Sequence, residues 1–388
     1  MIDFEPDPSD VAFAARTSEF VRTTVMPYER DPRWGSHGPT DELRDDLVRL
    51  ASVEQLLSPH VPKEFGGHGL THRGRALVFD AAGYSMLGPV ALNIAAPDEG
   101  NAHLLAKVAT PEQQLRWLEP LARGEIRTAF AMTEPAPGAG SDPSMLTATA
   151  TRRGDRYIVR GRKWLITGAK GAAVFIVMAQ DSDVGGATMF LVPADRAGLE
   201  VGREITTLDS AFVSGHAVVD LHDVEVSVDE VLGVPGAGLR NAQVRLAPAR
   251  LTHCMRWLGA ARRAHDVAAE YAGRRTGFGR PIGEHEGVGF MLARNEVELR
   301  QAELMIDYVA WTLDQGSRAS TDSSMAKYSV SESLFQIVDR CVQVLGGQGI
   351  VDETQVSMIW REIRGFRVYD GPSEVHLYSL ARRLKRHG

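Results

Sequence analysis

From about residue 9 to 122 the apolar residues recur at helical spacing, broken at Pro32 to Pro39 and at Glu64 to Gly69. The first third of the chain therefore predicts helices separated by irregular connections. From about 125 to 235 the texture changes. Ala173 to Ala179 (AVFIVMA) and Ala187 to Pro193 (ATMFLVP) are apolar runs of strand length, Ala217, Val219 and Leu221 alternate, and Gly154-Asp155 marks a turn. No helical stretch separates these strands, which predicts an antiparallel barrel or sandwich rather than a parallel βαβ sheet. After Gly236-Ala-Gly238 the helical period returns at Leu251, Met255 and Leu258, then at Val288, Leu292, Leu299, Ile306 and Leu313, then at Leu334, Ile337, Cys341 and Leu345. Three long amphipathic helices, shorter ones and a closing segment from Ser373 to Arg386 predict a bundle. Pro248 predicts a kink or a late start in the first of them. The fold class is α+β multidomain: an N-terminal helical domain over 1–123, a middle antiparallel β-barrel or sandwich over 124–236, and a C-terminal helical bundle over 237–388.

With 388 residues, 44% hydrophobic and 24% charged, the chain has ordinary globular composition, which excludes a disordered or low-complexity protein. A formal charge of −7 argues against a body that coats nucleic acid. Cys254 and Cys341 stand far apart without metal-ligand spacing, so neither a disulfide framework nor a zinc site is expected, and a reducing cytoplasm is the natural compartment. The first residues carry acids where a signal peptide carries bases, and no apolar stretch reaches membrane-spanning length. Neither a strand followed by G-x-G-x-x-G nor a Walker sequence is present, which removes support for a Rossmann or P-loop site. The basic run from Arg382 to Arg386 reads as a solvated helix end, and lone histidines such as His285 and His376 read as structural.

The glycine-rich stretches gain meaning from their company. In order come Ala131-Met-Thr-Glu-Pro135 followed by Gly140-Ser-Asp142, Lys163-Trp-Leu-Ile-Thr167, Arg275 with Phe278-Gly279, Gln343-Val-Leu-Gly-Gly347, and Tyr369-Asp-Gly-Pro-Ser-Glu374. This ordered set resembles the acyl-CoA dehydrogenase flavoprotein family, from roughly Val61-Pro-Lys-Glu-Phe-Gly-Gly67 to the C-terminus. Ala96-Pro-Asp98, Gly100-Asn101, Arg250-Leu-Thr-His-Cys-Met-Arg256 and the Asp-Gly-Pro at 370–372 make it most similar to the branch fused in animals to phosphotransferase-like domains and to bacterial stand-alone relatives. The fold so implied has an N-terminal helical domain, a middle β-domain and a C-terminal four-helix bundle.

The resemblance implies FAD and a set of residues to hold it. Phe130, Met132 and Thr133 would run beside the isoalloxazine, although Thr133 could simply bond to backbone. Ser141 follows a loop longer than the commonest family form; it would sit near the junction of cofactor and thioester, or else cap a turn. Leu165 takes the place of the family's aromatic ring over the flavin. Strand alternation puts Leu165 and Thr167 on the flavin side and Trp164 in the core. Arg275, otherwise an exposed base beside Arg274, would reach the pyrophosphate, often across a subunit interface, with Phe278 beside it. Gln343, Gly346 and Gly347 would meet the adenosine end, where missing side chains allow close approach or, equally, tight helix packing. Pro372 and Glu374 complete the cofactor set, and Ser141, Arg250 and Gly371 the substrate set; no metal is expected.

The implied reaction is oxidation of an acyl-CoA thioester to the trans-2-enoyl thioester, with electrons passing to an electron-transfer flavoprotein and the enzyme a homodimer or homotetramer. The common family motif has Glu before Gly-Thr; this chain has Asp370-Gly371-Pro372, so Asp370 is the expected base, with a backbone N–H at 370 serving the developing enolate. The alternative family position for the base is Ala249 here, which cannot abstract a proton. Asp370 could instead merely cap the helix near Ser373. Three other functions stay open: the same chemistry on an acyl-carrier-protein thioester, a nitroalkane-oxidising flavin oxidase, whose partner arginine is Leu377 here, and a flavin-free helical scaffold.

Overall fold

The computed structural model describes residues 4–384. In chain order its main elements are α1 (Pro8–Phe20), α2 (Asp41–Val53), α3 (His72–Gly83), α4 (Asp98–Val108), β1 (Thr128–Ala131), β2 (Thr149–Arg153), β3 (Arg156–Thr167), β4 (Val174–Asp181), β5 (Gly186–Pro193), β6 (Leu199–Ile205), β7 (His216–Ser227), α5 (Gly238–Arg274), α6 (Glu286–Asp314), α7 (Ser320–Leu345), α8 (Gln355–Phe366) and α9 (Ser373–Leu384). The helical, β, helical order of the sequence is the order of the structure. Local chemistry sets several helix starts: Asp7, Thr40 and Thr71 each accept an early backbone N–H of α1, α2 and α3. Lys385 and Arg386, the end of the basic run, lie outside the described residues.

The chain divides into two compact units. One comprises Arg30–Gly69 and Val90–Pro248; the other comprises the described residues of Met1–Glu29, Leu70–Pro89 and Ala249–Gly388. The N-terminal helices are thus shared out: α2 and α4 belong with the sheet, α1 and α3 with the C-terminal helices. Helix α5 runs unbroken through Pro248, so the late start does not occur, and the division between units falls immediately after that proline.

In the first unit the sheet order is β1-β4-β2-β3-β7-β6, with β5 on β4. The β2–β3, β3–β7, β4–β5 and β6–β7 pairs are antiparallel as expected, with Gly154 at φ +66 in the β2–β3 turn. The β1–β4 and β2–β4 pairs are parallel, so the sheet is mixed. A parallel neighbour needs a long return connection rather than a tight turn. Residues 132–173, which include the whole β2–β3 hairpin, supply it without an α-helix, and so left no helical trace in the pattern. The apolar run of β4 is buried on both faces. Phe175, Val177 and Ala179 enter a core with Tyr157, Val219 and Val224, while Val174, Ile176 and Met178 enter another with Leu104, Leu105, Leu118 and Leu246.

In the second unit α3 and α5 meet backbone to backbone through two glycines. A Cβ at Gly83 would lie 2.0 Å from the Arg256 carbonyl oxygen, and one at Gly259 would lie 2.1 Å from that of Asp80. Cys254 and Cys341 are buried and unbridged, and burial pushes both thiols up to about 12. Among the described residues no helix is long and apolar enough to cross a membrane, and no group of His, Cys, Asp and Glu could hold a metal ion.

Helix propensity alone would make Gly259→Ala stabilising by about 1 kcal/mol. The backbone clash reverses that sign. We expect Gly259→Ala to cost about 1–3 kcal/mol, the range for overpacking, read as a lower melting temperature at fixed FAD concentration. An unchanged or higher melting temperature would show that α3 and α5 do not meet this closely.

Candidate active site

On the sheet, the flavin-side candidates depend on a bulge. The β3–β7 register steps from Lys163 opposite Val219 to Ile166 opposite Ala217, so Trp164 and Leu165 together face one partner position. The extra residue breaks the alternation on which Trp164 was expected in the core. Trp164 is half-buried instead, and Ile166 takes the core position. Leu165 adopts φ +53, a conformation strained for a branched side chain, and is 42% exposed. The Trp164 N–H donates to the Thr133 carbonyl over 2.9 Å, which joins the end of the β1 segment to the bulge. Met132 and Phe130 are partly buried against the α4-side core, and the Arg245 guanidinium lies 4.3 Å above the Phe130 ring. Arg245 Nε donates to Asn101 Oδ1 and Asn101 Nδ2 to Thr128, whose N–H and hydroxyl both go to Asp98; this places the 98–101 motif directly on β1.

Beneath the bulge is a buried ion pair. Lys163 and Glu134 have fully buried side chains, and Lys163 Nζ donates to Glu134 Oε1 (2.8 Å), the Met132 carbonyl (3.2 Å) and the Met178 carbonyl (2.6 Å). Burial pulls the ammonium down to about 8 against the pull of Glu134. Burial would raise the Glu134 carboxyl, but Lys163 and the N–H groups of Thr147 and Ala148 outweigh it and hold that carboxyl at about 2. Both are therefore charged at neutral pH.

The same unit answers two smaller expectations. Ser141 is exposed, and Asp142, not Ser141, caps the short turn Pro143–Met145. Thr167 is half-buried with Oγ1 3.0 Å from His216 Nδ1, and His216 Nε2 is 3.1 Å from Asp209. His216 and Asp209 were missed because neither belongs to a motif.

In the other unit the loop between α8 and α9 carries Asp370 at φ +52 and Gly371 at φ +98. Asp and Gly are residue types that tolerate the left-handed region. Two cations hold this peptide from behind: Arg250 Nε donates to the Asp370 carbonyl (3.0 Å) and the fully buried Lys327 Nζ to the Gly371 carbonyl (3.1 Å). Burial draws Lys327 down to about 8. Arg250, expected at the substrate, is thus first a support for the loop. His253 Nε2 stands 3.1 Å from Asp370 Oδ2, and His253 Nδ1 is 2.8 Å from an Arg256 nitrogen. Both residues lie in the quoted Arg250-to-Arg256 motif, but their proximity to Asp370 was not legible. The early amides of α9 at Val375 and His376 bond to the Pro372 carbonyl. Pro372 is half-buried and Glu374 exposed, and His376 is buried and kept neutral by burial, down to about 4.

The remaining candidates of this unit lie on open surface. Arg275 is exposed just before a two-residue hairpin, 276–277 with 280–281, whose tip holds Phe278 at φ +51 and 99% exposed and Gly279 at φ +85. Gln343, Gly346 and Gly347 are exposed at the end of α7, where a Cβ on either glycine would meet nothing within 4 Å. Tight helix packing does not explain this pair; Gly349, whose Cβ would lie 2.3 Å from the Val342 carbonyl, is the packed glycine.

Within the first unit the exposed Leu165 side chain is an apolar surface that a flat ring could cover. Within the second, Gly346 and Gly347 leave space that a Cβ would not fill and the Arg275 guanidinium is exposed, which suits an anionic group. Comparison with known proteins identifies the family. Residues 7–125, 129–221 and 236–385 match the N-terminal, middle and C-terminal domain models of acyl-CoA dehydrogenase. The chain is 35% identical to "Probable acyl-CoA dehydrogenase FadE2" of Mycobacterium tuberculosis, covering 98% of this chain and 96% of that protein. It is 32% identical to acyl-CoA dehydrogenase family member 11 of Gallus gallus over 95% of this chain and 49% of that one, so it spans about half the length of the animal relative. A glutaryl-CoA dehydrogenase of Mycobacterium smegmatis in complex with FADH2 superposes with a TM-score of 0.88 at 25% identity, covering 98% of this chain and 95% of that one. The chain belongs to the acyl-CoA dehydrogenase family. It is a flavoprotein oxidoreductase that uses FAD in the dehydrogenation of acyl thioesters.

Removing one member of a buried ion pair leaves an uncompensated charge, at a cost of about 3–5 kcal/mol. Lys163→Met is expected to lose that much stability in equilibrium unfolding, and adding Glu134→Gln to recover part of it. If Lys163→Met is as stable as wild type, the pair is not what holds the bulge.

Proposed function

We propose that this enzyme oxidises an acyl-CoA thioester to its trans-2-enoyl thioester, that Asp370 is the base, and that an electron-transfer flavoprotein receives the electrons. The observation that carries the reading is the Asp370-Gly371 peptide. Its carbonyls accept from half-buried Arg250 and buried Lys327, in the left-handed conformation that Asp and Gly tolerate. The Asp370 side chain retains 18% exposure, so it is reachable yet largely desolvated.

FAD, when bound, supplies the acceptor for the hydride leaving the β-carbon. Phe130, Met132, Thr133, Ser141, Leu165, Thr167, Pro372 and Glu374 would hold its flavin end. Arg275, Phe278, Gln343, Gly346 and Gly347 would hold its phosphates and adenosine. Asp370 takes the α-proton; an aspartate is one methylene shorter than the glutamate of the common motif, and the carbonyl clamps fix where its backbone sits. A backbone N–H at 370 supports the developing enolate oxygen. Ser141 and Gly371 would border the thioester. Arg250 acts behind the loop. Domain boundaries at 123 and 236, a homodimer or homotetramer with Arg275 reaching a second chain's cofactor, and a cytoplasmic location complete the proposal.

The test is anaerobic flavin reduction by acyl-CoA and by the matching carrier-protein thioester; faster bleaching by the latter would move the substrate assignment to the carrier. Asp370→Asn should fold and keep FAD yet lose reduction by at least about 10²-fold, the low end of a general-base contribution. Near-wild-type reduction would place the base elsewhere. Arg275→Ala should release FAD on extensive dialysis under conditions where wild type stays yellow, because a charge-assisted phosphate contact is lost; equal retention would remove Arg275 from the cofactor site.

A further inference from the structure

The strongest unassigned arrangement is a chain of three side chains that ends on the proposed base. Helix α5 places Arg256 one turn after His253, and an Arg256 guanidinium nitrogen lies 2.8 Å from His253 Nδ1. A guanidinium only donates, so Nδ1 must accept, and the ring proton of the neutral imidazole sits on Nε2. Nε2 lies 3.1 Å from Asp370 Oδ2, a close contact whose alignment falls short of a full hydrogen bond. The ring is held in this plane by Tyr369 (4.9 Å between centroids) and Phe366 (6.0 Å), and it is 4% exposed. Trp257 Nε1 in turn bonds to the Tyr369 hydroxyl.

We propose that His253 is a positioning residue for Asp370: Arg256 fixes its neutral tautomer, and the resulting Nε2–H orients the Asp370 carboxylate and favours its ionised form. The inference rests on Asp370 being the base. Burial first, and then the Arg256 charge, draw His253 down to about 4 against the opposing pull of Asp370, so the imidazole is neutral at neutral pH. The charged and titratable groups facing the pair are Arg256 and Arg250 on α5, Lys327 on α7 and His376 on α9. Lys327, near 8, belongs to the alkaline side of a pH profile, and His376, near 4, to its acid end.

Two amide substitutions separate the two arms of the imidazole. The Asn side chain is short. In His253→Asn its Oδ1 can replace Nδ1 as the acceptor for Arg256, but nothing reaches Asp370. In His253→Gln the longer amide returns an N–H to the position of Nε2. We expect His253→Asn to keep its FAD band and melting temperature. Its flavin-reduction rate should fall about tenfold at the plateau, and the acid limb should move up by about one pH unit, because the carboxylate has lost a donor that favours its charged form. His253→Gln should restore both the rate and the position of the limb to near wild type. If His253→Asn loses FAD, His253→Phe, of similar size and without a donor, must show the same upward shift.

A wild-type limb and rate in the donor-free variants would overturn the proposal. So would equal losses in the Asn and Gln variants with an unmoved limb, which is the mark of a purely structural ring. Asp370→Asn, measured alongside, separates the two ideas. If it reduces flavin normally, the base assignment fails. If it is inactive while His253→Asn behaves as wild type, only the role of His253 fails.

Discussion

The Lys163 ammonium is the constraint on which the candidate residues of the sheet depend. Each of its three protons has an acceptor, on Glu134, Met132 and Met178, so one buried charge ties together the loop after β1, the strand that bulges and the strand behind it. Burying an ammonium and a carboxylate costs several kcal/mol per ion, and the pair is tolerable only because the remaining hydrogen-bonding capacity is satisfied. What the arrangement secures is geometry: the Trp164-Leu165 bulge is pinned at Lys163 on one side and by the Trp164 N–H to Thr133 on the other.

The same device recurs at several other places where the chain leaves regular structure. Arg44 donates to the Gly124 carbonyl where the chain turns toward β1. Arg127, 4% exposed and paired with Asp41, donates to the Gly168 and Lys170 carbonyls in the turn after β3. Arg250 and Lys327 do this for the Asp370-Gly371 peptide. Buried carbonyls outside helices and ladders need a donor, and a cation makes a stronger hydrogen bond than a neutral group. Irregular backbone can therefore be both buried and fixed, which the candidate catalytic groups need because they sit on a bulge and a loop rather than on helices.

Much of this was legible in the chain itself. The period of the apolar residues determined the helical, β, helical order, because burial of one face imposes a repeat of 3.6 or 2 whatever the partner. The residue types of the ordered motifs determined the family and the FAD chemistry, and Asp-Gly at 370–371 already marked a backbone able to adopt positive φ. Tertiary structure alone decided the rest. The parallel pairing of β1 with β4 depends on a return of some forty residues. The bulge that moves Trp164 out of the core depends on the register against β7. The meeting of His253 with Asp370, and of Lys327 with Gly371, joins residues from different helices and loops. Periodicity reports which side of an element is buried but not which distant element covers it, so a contact between remote segments leaves no mark in the local pattern.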